Sequence, residues 1–422
     1  MQREVEGTAR RESPAEGGVT SMSTCSRATA LLISTEDRYG ARIYAPLDIV
    51  IERGLGCWVE DLDGRRYLDC LSAYSAVNFG HAHPDLLAAA TAQLARVTLT
   101  SRAFRNTELP AFLEELCTSF GFEMALPMNT GVEAVETAIK AARKWAYEVK
   151  GVPPDEAEII VCRNNFHGRT IAVVGFSSEA TYRRGFGPFA PGFKLVPYGS
   201  IDALRDAVSE RTAAFLVEPI QGEAGVIVPP DGYLRQALAV CREARVLLIA
   251  DEIQTGLGRT GTLLACDHEG VKPDIAIVGK SLGGGLYPVS AVMAGRDVLG
   301  LFGPGDHGST FSGNPLGAAI GRSVLRLLRD DALLASVHGT GERLLAGLRR
   351  LRSPIIREVR GRGLMIGIEL TTPARALCER LARAGVLCKE THGTVLRVSP
   401  PLILDQDTAD WLMTTLAFVL EA

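Results

Sequence analysis

Short apolar runs separated by helical patterns fill the middle of the chain. The apolar residues within each run are continuous and do not alternate with polar ones, which is typical of strands buried on both faces of a mostly parallel sheet. These runs predict strands at residues 158–162, 170–175, 213–217, 246–250 and 274–278. Apolar residues at three- and four-residue spacing predict helices at residues 132–150, 204–209 and 233–244. Strands that alternate with helices indicate an α/β fold.

The pattern changes in the last quarter of the chain, after about residue 325. Charged amphipathic helices are predicted at residues 323–333 and 341–351, and strands at residues 364–370 and 394–398. Pro400 and Pro401 end the last of these strands. We therefore expect a second, smaller α+β domain at residues 326–422.

The first residues differ from both domains. Residues 1–32 are rich in Arg, Glu, Ser, Gly and Thr and have no apolar periodicity. Their one apolar stretch is too short for the core of a signal peptide, and the acidic residues argue against a mitochondrial transit peptide. We expect residues 1–32 to form a disordered tail.

Composition and charge exclude several classes of protein. The chain has 422 residues, of which 46% are hydrophobic and 22% charged, and these globular values exclude a disordered, collagen-like or coiled-coil protein. Lys and Arg total 45 and Asp and Glu total 49, so the net charge of −4 gives no footprint for nucleic acid. No uncharged apolar window approaches the roughly 18 residues that a membrane span needs. We expect a protein with neither a nucleic-acid nor a membrane partner.

The nine cysteines indicate a reducing compartment. Their number is odd, no CxxC pair occurs, and several lie in apolar runs, so buried thiols in the cytoplasm explain them better than disulfides or a zinc site. His81 and His83 have no cysteine or carboxylate nearby at a zinc-motif spacing. We interpret them as part of a loop and predict no metal site.

Polar residues follow three of the predicted strands. Glu218, Asp251 and Lys280 each come at or after the carboxyl end of an apolar run. Ligands of open parallel sheets bind beyond the carboxyl ends of the strands, so these residues are candidates for a site. For Asp251 or Lys280 taken alone, a salt bridge that holds two loops is an equally good explanation.

Two glycine motifs do not support a nucleotide site. Residues 256–261 spell GxGxxG, but they do not open a helix directly after a strand, and no strand ending in an acidic residue follows at the usual distance. The sequence at Gly279, Lys280 and Ser281 matches the end of a phosphate-binding P-loop. That motif requires a further glycine where this chain has Asp274, so we reject an ATPase.

A covalently held aldehyde cofactor explains these residues better. A lysine amine forms a Schiff base with pyridoxal phosphate, and a buried carboxylate keeps the ring nitrogen of that cofactor protonated. Lys280 and Asp251 have these properties. Residues 129–132 place a capping residue and a glycine directly before a long predicted helix, where backbone N–H groups bind phosphate. Lysine, carboxylate and helix start together therefore favour a pyridoxal-phosphate enzyme.

Six stretches of this sequence match the motifs of one enzyme family. The chain resembles the class III pyridoxal-phosphate aminotransferases and, within them, the ornithine aminotransferases. The resemblance covers about residues 36–420. It depends on residues 72–78, 126–134, 165–170, 217–226, 250–256 and 308–315, and for the ornithine branch mainly on Tyr44, Tyr74 and residues 396–401.

The resemblance implies the fold type I of pyridoxal-phosphate transferases. In that fold a large domain carries a mostly parallel seven-stranded sheet flanked by helices, and a smaller α+β domain follows it. The large, cofactor-binding domain would be residues 81–325, and residues 33–80 would form an N-terminal segment that packs with the small domain.

The resemblance also implies which residues hold the cofactor. Lys280 would carry it and then move a proton between the substrate carbon and the cofactor, while Asp251 would pair with the ring nitrogen. Phe166 would stack on the ring and Gln254 would reach its hydroxyl. The other cofactor-binding residues implied are Thr130, Gly131, Val132 and Ile253, together with Thr310, which would reach the cofactor of a second subunit in a homodimer.

The substrate residues are likewise implied by the resemblance. Arg169 would bind the far carboxylate of the substrate in both half-reactions, and Arg397 would bind the near carboxylate of glutamate. Glu223 would pair with Arg397 when ornithine is bound and swing away for glutamate. Tyr44 would meet the α-amino group of ornithine, and Tyr74 would line the pocket. On the residues alone, two core tyrosines and a static salt bridge remain open.

The activity expected from the resemblance is transfer of the δ-amino group of L-ornithine to 2-oxoglutarate. The products would be glutamate and glutamate 5-semialdehyde, which cyclises to pyrroline-5-carboxylate in arginine and proline metabolism. An aminotransferase acting on N-acetylornithine or another ω-amine is the alternative within the class. A pyridoxal-phosphate decarboxylase, an aminomutase and an inactive relative are alternatives outside it. His167, where animal relatives carry tryptophan, indicates a variation in the cofactor pocket of bacterial type.

Overall fold

The computed structural model of the chain describes residues 26–421. Most of the expected tail lies outside these residues, but its predicted end at residue 32 is wrong, because a helix begins at Arg27. The hydroxyl of Ser26 caps this helix by accepting a hydrogen bond from the backbone N–H of Thr29. The Thr29 hydroxyl in turn donates to Asp63, which ties the start of the helix to the folded chain.

Fourteen α-helices and fifteen strands follow one another along residues 26–421. The helices are α1 (Arg27–Tyr39), α2 (Ser72–Ser75), α3 (Pro84–Leu94), α4 (Leu109–Phe120), α5 (Gly131–Trp145), α6 (Ile171–Gly175), α7 (Ala180–Arg183), α8 (Ile201–Ala207), α9 (Tyr233–Glu243), α10 (Arg296–Leu299), α11 (Pro315–Leu327), α12 (Asp331–Arg350), α13 (Arg375–Arg383) and α14 (Gln406–Glu421). The strands are β1 (Ile51–Leu55), β2 (Trp58–Asp61), β3 (Arg66–Asp69), β4 (Met124–Met128), β5 (Glu158–Cys162), β6 (Phe193–Val196), β7 (Thr212–Val217), β8 (Leu247–Asp251), β9 (Ile275–Val278), β10 (Ser290–Ala294), β11 (Ile356–Arg362), β12 (Met365–Leu370), β13 (Val386–Leu387), β14 (Lys389–Thr391) and β15 (Val395–Val398).

The central sheet has seven strands in the order β4-β10-β9-β8-β7-β5-β6. Strands β5 to β9 pair in parallel, and only β10 runs antiparallel to its neighbours β4 and β9. Every residue of β7, β8, β9 and β10 is buried, because helices cover both faces of the sheet. The predicted fold class, a mostly parallel seven-stranded sheet with a smaller C-terminal domain, is confirmed.

Two predicted elements are wrong. Residues 171–175 form helix α6 instead of a strand, with Val173 and Val174 buried. Five apolar residues cannot distinguish a short strand from a helical turn, and here β6 takes the edge position of the sheet. The predicted helix at residues 323–333 is interrupted, because α11 ends at Leu327 and Asp330 caps a new helix by accepting from the N–H of Ala332.

Two smaller sheets lie outside the central one. The sheet β1-β2-β3-β13 joins N-terminal strands to a C-terminal one, since β3 pairs in parallel with β13. The sheet β11-β12-β15-β14 is antiparallel and packs against the last helices. One apolar core contains side chains from both of these sheets, for example Leu68, Ile366 and Leu396.

Neither a membrane-spanning helix nor a metal-binding cluster occurs within the described residues. No helix within residues 26–421 is long and apolar enough to cross a membrane. Across the same residues, no group of three or more His, Cys, Asp or Glu side chains is placed to hold a metal ion.

Candidate active site

The carboxyl ends of the central strands bring the candidate residues together. Asp251 is the last residue of β8, and Lys280 follows the neighbouring strand β9 after Gly279. Glu218 directly follows β7, on the other side of β8. Because these strands are parallel neighbours, the three ionisable groups lie at one edge of the sheet.

Asp251 is held by His167. The Oδ2 atom of Asp251 lies 2.7 Å from Nδ1 of His167, and its Oδ1 atom accepts from the backbone N–H of Ile253 at 3.1 Å. Asp251 and His167 are only 5% and 4% exposed. Burial by itself lowers the pKa of His167, but the hydrogen bond and the charge of Asp251 outweigh it and raise this pKa above 6.5. The imidazole therefore favours the charged state beside a carboxylate.

Glu218 is a second buried acid in this region. Its Oε1 atom accepts from the backbone N–H of Phe166 at 2.9 Å. Burial raises the pKa of Glu218 to about 8, with the charge of Asp251 adding to the rise and that of His167 opposing it. Glu218 therefore favours its neutral form around neutral pH.

Lys280 has the properties of a nucleophilic amine. Burial lowers its pKa to about 8, and the charge of Arg397 lowers it further against the opposing carboxylates of Glu223 and Asp251. Its backbone adopts the left-handed conformation, with φ 47°, which is uncommon outside glycine. Its Nζ atom lies 5.8 Å from the ring centre of Tyr74.

The start of helix α5 offers backbone donors. Thr130 and Glu133 form a capping box, in which Thr130 Oγ1 accepts from the N–H of Glu133 and Glu133 Oε2 accepts from the N–H of Thr130. The N–H groups of Gly131 and Val132 belong to the first helical turn, which has no internal acceptors for them. A Cβ on Gly131 would lie 3.1 Å from the side chain of Ile253, so this contact is close. Thr130 thus shapes the helix start, and the two following residues present N–H groups.

The buried Arg397 pairs with the partly buried Glu223. Nη1 of Arg397 lies 3.4 Å from Oε1 of Glu223, and Arg397 is only 1% exposed. The same oxygen of Glu223 accepts from Nε2 of Gln254 at 3.2 Å. The guanidinium carbon of Arg397 lies 5.4 Å from the ring centre of Tyr74, the same ring that Lys280 approaches. Arg397 and Lys280 therefore both lie close to the ring of Tyr74.

Other candidate residues line a cavity of about 600 Å³. Tyr44, Arg169 and Tyr182 are among its lining residues. The guanidinium of Arg169 stacks 3.7 Å above the ring centre of Tyr182 and lies 5.2 Å from that of Phe166. Arg169 is exposed and Tyr44 is 80% exposed, so both are accessible to a solute.

Thr310 lies at the surface and is not buried with these residues. It is exposed, whereas the hydroxyl of the preceding Ser309 accepts from Nδ2 of Asn129 at 2.7 Å, near the start of α5. The expected contact between Thr310 and the cofactor of a second subunit therefore stays a prediction.

Sequence reasoning missed three contributors to this site. The sequence predicts His167 only as a variation in the pocket and not as the partner of Asp251. It predicts Glu218 only as a strand-end carboxylate and gives no signal for Tyr182. His167 and Asp251 are 84 residues apart in the sequence, so no local pattern predicts their contact. The position of Glu218 at a strand end was the available signal.

Unpartnered polar atoms indicate that this pocket accommodates a polar group. Four buried atoms at the site have no hydrogen-bond partner among the described residues: Nε2 of His167, Oε1 of Gln254, Oδ1 of Asn129 and Nη2 of Arg397. Buried polar atoms are seldom left unpaired unless a ligand, a water molecule or a functional role accounts for them. A phosphorylated pyridine aldehyde fits this set, because the site combines an amine, a buried carboxylate and an open helix start.

Comparisons with known proteins agree with this geometry. Residues 39–420 match the model of the aminotransferase class-III family. The ornithine aminotransferase of Bordetella pertussis is 57% identical over 388 residues, covering 91% of this chain and 94% of the relative. The ornithine aminotransferase structure from Toxoplasma gondii, which has partial occupancy of PLP at its active site, superposes with a TM-score of 0.92 at 43% identity and covers 93% of this chain and 94% of that one.

An acetylornithine aminotransferase is also similar in structure. The protein from Elizabethkingia anophelis has a TM-score of 0.85 and 42% identity, and the match covers 93% of this chain and 98% of that one. The family expected from the sequence motifs is confirmed: this chain belongs to the class-III aminotransferase family.

Proposed function

We propose that the chain is a pyridoxal-phosphate enzyme that transfers the δ-amino group of L-ornithine to 2-oxoglutarate. The observation that carries this proposal is the contact between the buried Arg397 and the partly buried Glu223, 3.4 Å apart, near the reactive amine of Lys280. Burying a charged group is costly unless it is well paired, so an arginine held by one long contact is suited to exchange its partner for a substrate carboxylate. Two substrates of different charge give such an exchange.

The residues at the strand ends would hold the cofactor. Gly131 and Val132 would bind its phosphate, Asp251 would pair with the ring nitrogen, and Lys280 would anchor the aldehyde. Phe166, Ile253 and Gln254 would contact the ring and its hydroxyl. The cofactor, when bound, supplies an electron sink that makes a hydrogen on the amine-bearing carbon acidic.

His167 supports the negative charge that Asp251 would need to pair with the ring nitrogen. It donates to Asp251 at 2.7 Å, which orients the carboxylate and places a positive charge beside it. Lys280 would then carry the mobile proton. An amine with a pKa near 8 exists in both protonation states around neutral pH, so its Nζ atom can accept a proton from the substrate carbon and return it.

The two arginines would sort the substrates. Arg169 is exposed at the cavity and would bind the α-carboxylate of ornithine, with Tyr44 meeting the α-amino group. Ornithine places only a carbon chain near Arg397, so Glu223 neutralises that charge. 2-Oxoglutarate and glutamate bring a second carboxylate, which would replace Glu223 on Arg397.

An ω-amine such as that of N-acetylornithine is the second candidate substrate. The structural similarity to the acetylornithine aminotransferase of Elizabethkingia anophelis favours it. N-acetylornithine has the same reacting amine and the same α-carboxylate, and differs only where Tyr44 would meet the α-nitrogen. Tyr44 thus separates the two candidates.

We also propose that the enzyme is a cytoplasmic homodimer. Leu87, Leu94, Phe104 and Phe311 are large apolar side chains with 41%, 57%, 73% and 45% exposure, and Phe311 follows the exposed Thr310. A second subunit would cover such side chains. The eight cysteines of residues 26–421 are all free thiols, which supports a reducing compartment.

A panel of amines tests the proposal. Purified enzyme with 2-oxoglutarate is assayed with L-ornithine, N-acetylornithine, 4-aminobutyrate and L-lysine, and the semialdehyde is trapped with o-aminobenzaldehyde. The highest kcat/KM is expected for L-ornithine. A clear preference for N-acetylornithine would replace the proposed substrate, and carbon dioxide release without any need for 2-oxoglutarate would refute an aminotransferase.

A further inference from the structure

The side chain of Arg259 is fully buried and has no carboxylate partner. It is 0% exposed, and none of the ion pairs within residues 26–421 includes it. Its Nε atom has no hydrogen-bond partner among the described residues. A buried charge without a counter-ion costs free energy, so overall stability does not explain an arginine at this position.

Its other nitrogens join three separate parts of the chain. Nη1 donates to the carbonyl oxygens of Leu364, at 3.0 Å, and Pro400, at 2.6 Å. Nη2 donates to the side-chain oxygen of Asn78. The N-terminal segment, the loop after β8 and the C-terminal part therefore meet at one guanidinium, whose planar fork can reach all three acceptors.

Two of these acceptors lead directly to substrate-binding and cofactor-binding residues. Pro400 follows Ser399, and the hydroxyl of Ser399 accepts from Nε of Arg397 at 3.4 Å. Asn78 donates through Nδ2 to the hydroxyl of Ser281 at 3.2 Å, and Ser281 adjoins Lys280. Hydrogen bonds thus link Arg259 to the segments that carry Arg397 and Lys280.

The GxGxxG sequence at residues 256–261 allows this approach. Gly258 has φ 89°, and a Cβ there would lie 2.9 Å from the side chain of Leu402. Where the C-terminal part crosses this loop, Gly363 has φ 55°, and a Cβ on it would lie 2.5 Å from the backbone of Thr260. Glycine is therefore favoured on both sides of the crossing, which gives Gly258 of this motif a packing role.

We infer that Arg259 is a positioning residue that fixes Arg397 relative to Lys280, and so determines how well the five-carbon dicarboxylate substrate is bound. This inference rests on the proposed function, in which 2-oxoglutarate must bind Arg397 through one carboxylate and at the same time react beside Lys280. Ornithine makes a smaller demand, because Arg397 is then paired with Glu223. Loss of Arg259 therefore weakens the 2-oxoglutarate half-reaction more than the ornithine half-reaction.

The test compares Arg259→Lys with wild type and with Arg322→Lys. Arg322 binds Glu108 and Glu115 on the large domain and controls for the loss of an arginine fork away from the site. Single-turnover rates give kcat/KM for each half-reaction, and calorimetry gives the Kd of glutarate, an unreactive five-carbon dicarboxylate. Lysine keeps the charge but not the fork, and misplacement of a binding group by about 1 Å can cost up to about 100-fold.

For Arg259→Lys we expect the 2-oxoglutarate half-reaction to fall at least about tenfold more than the ornithine half-reaction, and glutarate to bind at least about tenfold more weakly. Arg322→Lys should change neither ratio. Equal losses in both half-reactions, or unchanged glutarate affinity, would show a purely structural role and overturn the inference.

A second variant covers the case in which Arg259→Lys does not fold. Asn78→Ala removes the acceptor of Nη2 and the link to Ser281 but keeps Arg259. It should shift the same ratio in the same direction, and an unchanged ratio would overturn the inference. Wild-type enzyme without ornithine activity would instead refute the proposed function, and the glutarate Kd values would still test Arg259.

Discussion

The guanidinium of Arg397 meets the carboxylate of Glu223 at 3.4 Å, longer than the 2.7–2.9 Å typical of a strong charge-assisted hydrogen bond. Nη2 of the same arginine has no partner among the described residues. Burial lowers the pKa of Arg397, and Glu223 only partly offsets this effect. The pair is therefore incompletely satisfied, and a carboxylate that approached Arg397 directly would make better hydrogen bonds than Glu223 does.

Replacement of Glu223 by glutamine should separate the two half-reactions. In Glu223→Gln the charge of Arg397 stays unpaired when ornithine binds, so we expect kcat/KM for ornithine to fall by about tenfold or more. The 2-oxoglutarate half-reaction should stay within about threefold of wild type, because its own carboxylate pairs with Arg397. Stopped-flow spectra of each half-reaction measure both values. Glu379→Gln, which removes an exposed partner of Arg375, is the control, and equal losses in both half-reactions would contradict the exchange.

Replacement of Tyr44 by phenylalanine should distinguish ornithine from N-acetylornithine. The phenol is exposed at the cavity and would accept a hydrogen bond from the charged α-ammonium of ornithine, which the acetylated substrate lacks. A hydrogen bond to a charged group contributes about 1.5–3 kcal/mol, so Tyr44→Phe should lower kcat/KM for ornithine by roughly 10- to 100-fold. Initial rates with both amines measure the effect. Tyr39→Phe changes a tyrosine outside the cavity lining and serves as the control, and a parallel loss on both substrates would count against ornithine.

The strand-end rule was sufficient to predict where the chemistry lies. Asp251 and Lys280 follow buried apolar runs, and the structure places these runs next to each other as β8 and β9. The rule works because parallel strands bring their carboxyl ends to one edge. The order of strands within the sheet was not predicted, because strand order depends on helix packing and not on any one run.

Contacts between distant segments explain what could not be predicted from the residues alone. Tyr44, Tyr74, Arg397 and Glu223 were assigned only through the family resemblance, since they lie on different segments of the chain. The run at 170–175 was too short to reveal its helix. His167 carries no local signal for its hydrogen bond with Asp251, because only the fold brings β8 and the loop after β5 together.

Removal of the Lys280 amine should abolish covalent attachment of the cofactor. Lys280→Ala removes the amine that follows β9, and the pKa of about 8 makes Lys280 the nucleophile at neutral pH. We expect turnover to fall by at least about 1,000-fold. Borohydride treatment followed by intact mass spectrometry should show a phosphopyridoxyl adduct on wild type and on the control Lys272→Ala, and none on Lys280→Ala. An adduct on Lys280→Ala, or its loss from Lys272→Ala, would place the anchor elsewhere.

The His167–Asp251 contact should make stability depend on pH in a specific direction. Asp251 raises the folded-state pKa of His167 above its ordinary value of 6.5. The stabilisation is therefore complete below pH 6.5 and is lost as the pH rises through the folded-state pKa. Glutamine at position 167 keeps a donor but cannot titrate, so wild type should exceed His167→Gln in stability by about 1–3 kcal/mol at about pH 6 and by less at about pH 9.

His268 provides a control of opposite sign. Burial and the charge of Arg362 lower its pKa below 6.5, so its neutral form favours folding and protonation at low pH opposes it. Relative to wild type, His268→Gln should therefore gain stability as the pH falls, whereas His167→Gln should lose it. Urea unfolding of the cofactor-free proteins across this pH range measures both differences. If the two variants followed the same trend, Asp251 would not stabilise the charged imidazole of His167. Asp251, which we propose pairs with the cofactor nitrogen, would then lack the electrostatic support that its 2.7 Å contact with His167 implies.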